Sequence, residues 1–192
     1  MDSFESVVAT VLERDGYWVR SGLKVDLTKD DKERIKRPSC PRWELDIVGY
    51  RGASNELVVV ECKSYLDSPG VTFAALTGTD KKGAKRYKLF NDPSLRDVVF
   101  SRLKFQLREA QACRADPAVR FGLAAGKVAG ESDRDALRAH FKKQDWLFWD
   151  DRWLRDALGR VANGGYDNQV AAVVAKLLLR PASPAAGGPG KR

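Results

Sequence analysis

Residues 57–60, Leu-Val-Val-Val, are apolar at every position and run directly into Glu61-Cys62-Lys63. Successive strand residues point to opposite faces. A strand apolar on both faces must be covered on both, which places it centrally in a sheet and selects an α/β architecture. Yet this strand ends in two charges, and Asp46 lies fifteen residues before Glu61. Burying an ionised group without a partner costs several kcal/mol, roughly. The three charges are therefore either an ion pair at a sheet end or a set placed to hold something.

The flanking segments fix the element order. Phe4, Val7, Val8, Val11 and Leu12 follow helical spacing, which predicts a helix over 3–14 ended by Asp15-Gly16. Residues 17–25 read as a first strand and 26–42 as a polar loop. Over 43–50, Trp43, Leu45 and Ile47 are expected to face one way and Glu44, Asp46 and Val48 the other. The RGASN turn leads to the strand at 56–63, where Leu57, Val59, Glu61 and Lys63 share a face. Residues 64–92 are polar, with a basic cluster at Lys81, Lys82, Lys85, Arg86 and Lys88. Asp92-Pro93 suits a helix start, with Val99, Leu103, Leu107 and Ala110 on the apolar face. A strand over 119–129, a helix over 132–144, a short strand over 146–149 and helices over 151–162 and 167–180 follow. The apolar stripe Val170, Val173, Val174, Leu177 and Leu178 is expected to pack on the chain's own core. The Pro/Gly/Ala-rich end, 181–192, is expected to be disordered.

Composition narrows the chemistry. A net charge of +8 and a pI near 9.5 favour a polyanionic partner. No apolar run approaches the length of a membrane span, and the acidic start MDSFESVV lacks the basic n-region of a signal peptide. Cys40, Cys62 and Cys113 show no CxxC spacing, which fits a reducing cytoplasm. The single histidine, His140, reads as a half-exposed helix residue, so chemistry based on paired histidines is unavailable. GTDKKGAK (78–85) places Ala84 where a P-loop needs its lysine, and GLAAGKV (122–128) is one residue short.

Hairpin pairing brings Asp46 beside Glu61. Two adjacent carboxylates repel, and one proton affinity rises unless a cation neutralises them. Mg²⁺ does so through oxygen ligands, often one or two carboxylates completed by water and substrate phosphate. Lys63, two residues on, adds an ammonium. This is equipment for hydrolysing a phosphodiester: a metal to polarise the phosphoryl group and acidify water, and a lysine to orient or deprotonate the nucleophile and offset developing charge.

Asp46, fourteen intervening residues and Glu61-Cys62-Lys63, on an α-β-β-β-α-β order, resemble the PD-(D/E)xK nuclease superfamily over roughly residues 3–128. Leu45 stands where the family's motif has proline. FESVVATVLERDGYWV and CKSYLDSPG resemble the branch of Holliday-junction resolvases and Mrr-type restriction enzymes. The resemblance implies a restriction-endonuclease-like αβββαβ core with a mixed central sheet flanked by helices. It sets a core over 1–130, a helical C-terminal extension over 131–180 packed on it, and the tail. It implies Asp46, Glu61 and Lys63 as catalytic residues. Asp46, Glu61, the Cys62 carbonyl and Glu5 would hold Mg²⁺, or Mn²⁺ in its place. For Glu5, an N-terminal capping arrangement with Asp2 is the alternative.

Ser64 and Tyr65 would lie near the substrate phosphate. Gln106, Lys127 and the lysines Lys81, Lys82 and Lys85 are further nucleic-acid candidates, against plain readings as helix edge, strand end and solvated loop. The expectation is a Mg²⁺-dependent cytoplasmic endonuclease acting on DNA, compatible with a homodimer. The alternatives are an inactive nuclease-like DNA-binding subunit and an assembly role carried by the helix at 167–180.

Overall fold

The computed structural model of the chain describes residues 2–39 and 42–180. The segment 181–192, read above as disordered, and Cys40 lie outside the described residues. In chain order the elements are α1 (Ser3–Arg14), β1 (Trp18–Asp26), α2 (Lys29–Arg34), β2 (Arg42–Arg51), β3 (Glu56–Lys63), α3 (Phe73–Leu76), α4 (Lys81–Ala84), α5 (Lys88–Asn91), α6 (Pro93–Glu109), β4 (Ala118–Ala125), α7 (Glu131–Lys143), β5 (Leu147–Trp149), α8 (Asp151–Asn163) and α9 (Val170–Leu179). The polar segments 26–42 and 64–92, read as loops, thus contain α2 and the one-turn helices α3, α4 and α5. Thr28, Thr72 and Asp80 cap α2, α3 and α4 with their side chains. Such short turns carry no apolar period, so only their caps mark them.

The strands form a mixed open sheet in the order β1-β2-β3-β4-β5. β1, β2 and β3 are antiparallel neighbours, while β4 and β5 run parallel to β3. As expected of an all-apolar strand, β3 is central, and Leu57, Val58, Val59 and Val60 are fully buried. Helices cover both faces. On one face Val59, Leu123 and Phe121 pack with Leu95, Val99 and Leu103 of α6 and Leu137 and Phe141 of α7. On the other, Val58, Val60 and Ile47 pack with Val8 and Leu12 of α1 and Leu154 of α8. On α6, Val99 and Leu103 are buried as expected, Leu107 is half-buried, and Ala110 is an exposed C-cap.

β2 departs from simple alternation. Leu45 buries on the α6 face and Ile47 on the α1 face, although they are two residues apart. The slip falls at Asp46. Pairing is regular on either side, at Ser21↔Ile47 and Leu23↔Leu45. Between them on β1 stands Gly22, with φ of +61°, a conformation that glycine adopts at little cost. The sheet is re-aimed at the carboxylate the sequence singles out.

The division at residue 130 follows no break in packing, because β5 extends the sheet from Gly122↔Leu147 to Ala124↔Trp149 and α7 fills the main core. A buried ion network fastens the β5–α8 corner. Arg134 Nη1 donates to Asp150 Oδ2 and Asp151 Oδ1, both at 2.8 Å, and Arg138 reaches Asp150 Oδ2 at 2.7 Å. Asp150 also caps α8 through the Trp153 N–H at 2.9 Å.

α9 is oriented opposite to expectation. Ala172 and Ala175 are its buried residues, while Val170, Val173, Val174, Leu177 and Leu178 are exposed. The stripe faces away from the core because α9 approaches α1 and α8 with its small residues, Ala172 packing with Val11, Ala157 and Val161. No helix among the described residues is long and apolar enough to cross a membrane.

Candidate active site

The β2–β3 hairpin register, Ile47↔Val60, sets Asp46 beside Glu61 at the sheet end where β3 stops. Asp46 Oδ2 accepts a 2.7 Å hydrogen bond from the Cys62 backbone N–H, which fixes the carboxylate against the neighbouring strand. Lys63 folds back over its own strand. Its Nζ lies 3.5 Å from Glu61 Oε2, 3.7 Å from Asp46 Oδ2 and 3.2 Å from the Cys62 carbonyl oxygen. Two carboxylates and a carbonyl thus surround one ammonium. All three side chains are largely shielded, with exposures of 25% for Asp46, 14% for Glu61 and 19% for Lys63. A surface ion pair would be screened by water; this one is only partly so.

One ammonium does not balance the two carboxylates. Burial first, and then the Asp46 charge, push the Glu61 carboxyl up to about 7 against the pull of Lys63. Burial opposes the charge on Lys63, but Glu61 and Asp46 outweigh it and raise the lysine above its ordinary value. The Cys62 thiol is pushed up by burial and by Asp46, so it stays protonated.

A pH dependence follows. Between the ordinary 4.5 and about 7 the folded protein keeps a Glu61 proton that the unfolded chain has lost. Stability therefore falls as pH rises through that window, by a few kcal/mol, roughly. In metal-free buffer the melting temperature of the wild type should drop from pH 5 to 7.5 more than that of Glu61→Gln. Parallel curves would contradict this charge assignment.

Glu5 meets both readings offered for it. Asp2 and Glu5 form a capping box: the Glu5 N–H donates to Asp2 Oδ1 at 2.8 Å and the Asp2 N–H donates to Glu5 Oε2 at 3.2 Å. Its carboxyl is nonetheless raised, by burial first and in part by Asp46, and Glu61 is raised in part by Glu5. Glu5 thus stands within electrostatic reach of the pair. Among the described residues no three His, Cys, Asp or Glu side chains converge as a ready-made metal cage. Two carboxylates and the Cys62 carbonyl nevertheless form an all-oxygen donor set. Once Glu61 ionises, the set carries more negative charge than Lys63 offsets, and it already gathers around a cationic group, which suits a hard ion that keeps several of its waters.

The other candidates divide. Ser64 and Tyr65 continue from Lys63, and Tyr65 lies beside Arg86, whose guanidinium is 5.9 Å from the ring centroid. The basic segment is thereby held against the end of β3, and Lys88 likewise lies 5.9 Å from the Trp43 ring. Lys81, Lys82 and Lys85 are exposed, and none forms an ion pair with a described residue. Lys127 is exposed just past β4, its carbonyl accepting from Val71. Gln106 is engaged elsewhere. Its Oε1 accepts from the Asp26 N–H at 3.1 Å and its Nε2 donates to the Lys24 carbonyl at 3.0 Å, tying α6 to β1. His140 is half-buried and edge-on to Phe73 and Trp146, which fits its plain helical reading.

Sequence reasoning missed Gly126. Its N–H donates to the Lys63 carbonyl at 2.9 Å. A Cβ there would collide with the Ser64 carbonyl oxygen and fall 3.1 Å from the Phe4 ring. The glycine lets β4, α1 and the end of β3 meet at the cluster. Its only sequence signal was a failed P-loop spacing. Comparison with protein-family models, with curated proteins and with solved structures gave no match to this chain.

Proposed function

We propose that this chain is a metal-dependent endonuclease that hydrolyses phosphodiester bonds in DNA, on a restriction-endonuclease-like core of the PD-(D/E)xK kind. One observation carries the reading. Asp46, Glu61 and the Cys62 carbonyl converge at the end of a central strand, with more negative charge than Lys63 offsets once Glu61 ionises. The order α1-β1-β2-β3-α6-β4 and the basic segment held beside Tyr65 support it.

Asp46, Glu61 and the Cys62 carbonyl would hold Mg²⁺ or Mn²⁺, which supplies Lewis acidity toward the phosphoryl oxygen and acidifies bound water. The Cys62 N–H keeps Asp46 oriented. Because its carboxylate neighbours keep Lys63 protonated, the lysine acts as a cation and hydrogen-bond donor at the phosphate rather than as a base. Lys81, Lys82 and Lys85 offer charges to the backbone.

A second reading, an inactive DNA-binding subunit, is favoured by Lys63 already engaging both carboxylates. Incubation with plasmid, single-stranded, branched and RNA substrates in Mg²⁺, Mn²⁺ or EDTA separates the two. Cleavage of DNA that EDTA abolishes is expected. Binding without cleavage in either metal supports the inactive subunit, and cleavage undiminished by EDTA removes the mechanism.

The triple substitution of Lys81, Lys82 and Lys85 by Ala should weaken DNA binding alike for all sequences and shrink its salt dependence. Each lost phosphate contact removes about 0.9 from the slope of log K against log salt for duplex DNA. A slope equal to the wild type's would show that this segment does not touch the backbone.

A further inference from the structure

The C-terminal helix is built inside out. Ala172 and Ala175 are its buried residues, while Val170 is 80%, Leu177 78% and Leu178 76% exposed. Val173, Val174 and Leu179 are exposed to lesser degrees, and Leu66, 63% exposed, lies across the groove that α9 borders. At roughly 150–200 Å² for a fully exposed Val or Leu, this surface amounts to about 700 Å². That is more than the largest apolar patch of most monomers and near the ~800 Å² each partner contributes to a stable interface.

Beside this ridge runs a groove of about 690 Å³, floored by Phe4 and Val7 of α1 and Leu154 and Leu158 of α8. Ridge and groove lie on one surface, as an isologous contact requires: α9 of each copy can enter the groove of the other. The spacing of 170, 173, 174, 177 and 178 makes one continuous ridge for such packing.

Charge selects the face. The chain carries a net +8, so most of its surface repels a second copy. The ridge itself carries no charge, and Lys176 is turned back to bond the Gly165 carbonyl. Residues 181–192 hold no apolar side chain larger than proline, so they offer no match for an apolar ridge of Val and Leu.

We propose that α9 and the α1–α8 groove form a twofold interface between two copies of this chain. Leu66 and Gly126 border the same groove, and Gly126 bonds the Lys63 carbonyl. The interface therefore abuts the carboxylate cluster and sets two clusters in one assembly. This contact stands apart from the nuclease reading; only a consequence for cutting two strands rests on it.

Sedimentation velocity of the full chain, without nucleic acid or added metal, tests the interface. The wild type should sediment with twice the chain mass at micromolar concentration. The double substitution Val173→Asp, Leu177→Glu should halve that mass. Both side chains are already solvent-exposed in the single copy, so the variant should keep the wild-type circular dichroism. Should it misfold, Val174→Cys supplies the second test: oxidation should join two chains through this residue in the otherwise native protein. A monomeric wild type, a folded variant that stays dimeric, or failure of the cysteine to link copies would each overturn the proposal. If the chain cleaves DNA, the dissociated variant should nick plasmid where the wild type linearises it. Linearisation unchanged in a monomeric variant would overturn the coupling of interface to cutting while leaving the single-site nuclease reading intact.

Discussion

Lys63→Ala is expected to yield a protein that folds and binds DNA as before but cleaves it about a hundredfold more slowly or worse. The lysine bridges Asp46 Oδ2 and Glu61 Oε2 at 3.7 and 3.5 Å, so it contributes one positive charge where the reacting phosphate would gain negative charge. Binding free energy is spread over many phosphate contacts and changes little when one is lost. A charge aimed at the transition state is worth roughly 3 kcal/mol or more, which is the hundredfold. Single-turnover cleavage and equilibrium binding on one DNA, compared with Asp46→Ala and Glu61→Ala, check it. Both carboxylate variants should be inactive, since each removes a donor from a small set. Cleavage by Lys63→Ala at the wild-type rate, in protein free of contaminating nuclease, would take the lysine out of the mechanism.

Asp150→Ala is expected to cost about 3–5 kcal/mol of stability, the largest effect foreseen away from the cluster. Its side chain is 2% exposed, bonds Arg134 and Arg138, and caps α8. Removing it strips the buried Arg134 of one carboxylate partner and uncaps the helix. Burial alone would raise the Asp150 carboxyl, but the Trp153 N–H and Arg134 outweigh it and hold it below the ordinary 3.8. Its contribution is thus present above that value and lost as pH falls through the lowered one. Asp150→Asn keeps the cap and should lose less. Urea unfolding midpoints measure both, and variants within 1 kcal/mol of the wild type, on the order of experimental scatter, would show that the network is idle.

The parts of this structure readable beforehand were those whose signals are local. The capped helix at 3–14, the hairpin over 43–63 and the Asp92-Pro93 start of α6 carry their instructions within a few residues. Asp46, Glu61 and Lys63 were readable because hairpin register is set by a short turn. The slip at Asp46 was not, since it depends on Gly22 in another strand adopting a left-handed conformation. The bonds of Gln106 were not readable because its partners, the backbones of Lys24 and Asp26, are some eighty residues away. The stripe on α9 was readable as a pattern but not as a direction. Periodicity says that a helix has an apolar side, and only packing says whether alanines or leucines turn inward.

The amide of Gln106 presents its oxygen to one backbone N–H of β1 and its nitrogen to the carbonyl two residues earlier. A residue of a parallel neighbouring strand would offer the same pair through its own C=O and N–H. β1 is an outer strand of the sheet, where open backbone groups invite another chain to add on. A side chain from α6 occupies those valences instead, so the sheet ends in a plug rather than a template. Loss of Gln106 would therefore surface less as a weaker fold than as a protein that polymerises on storage, edge to edge.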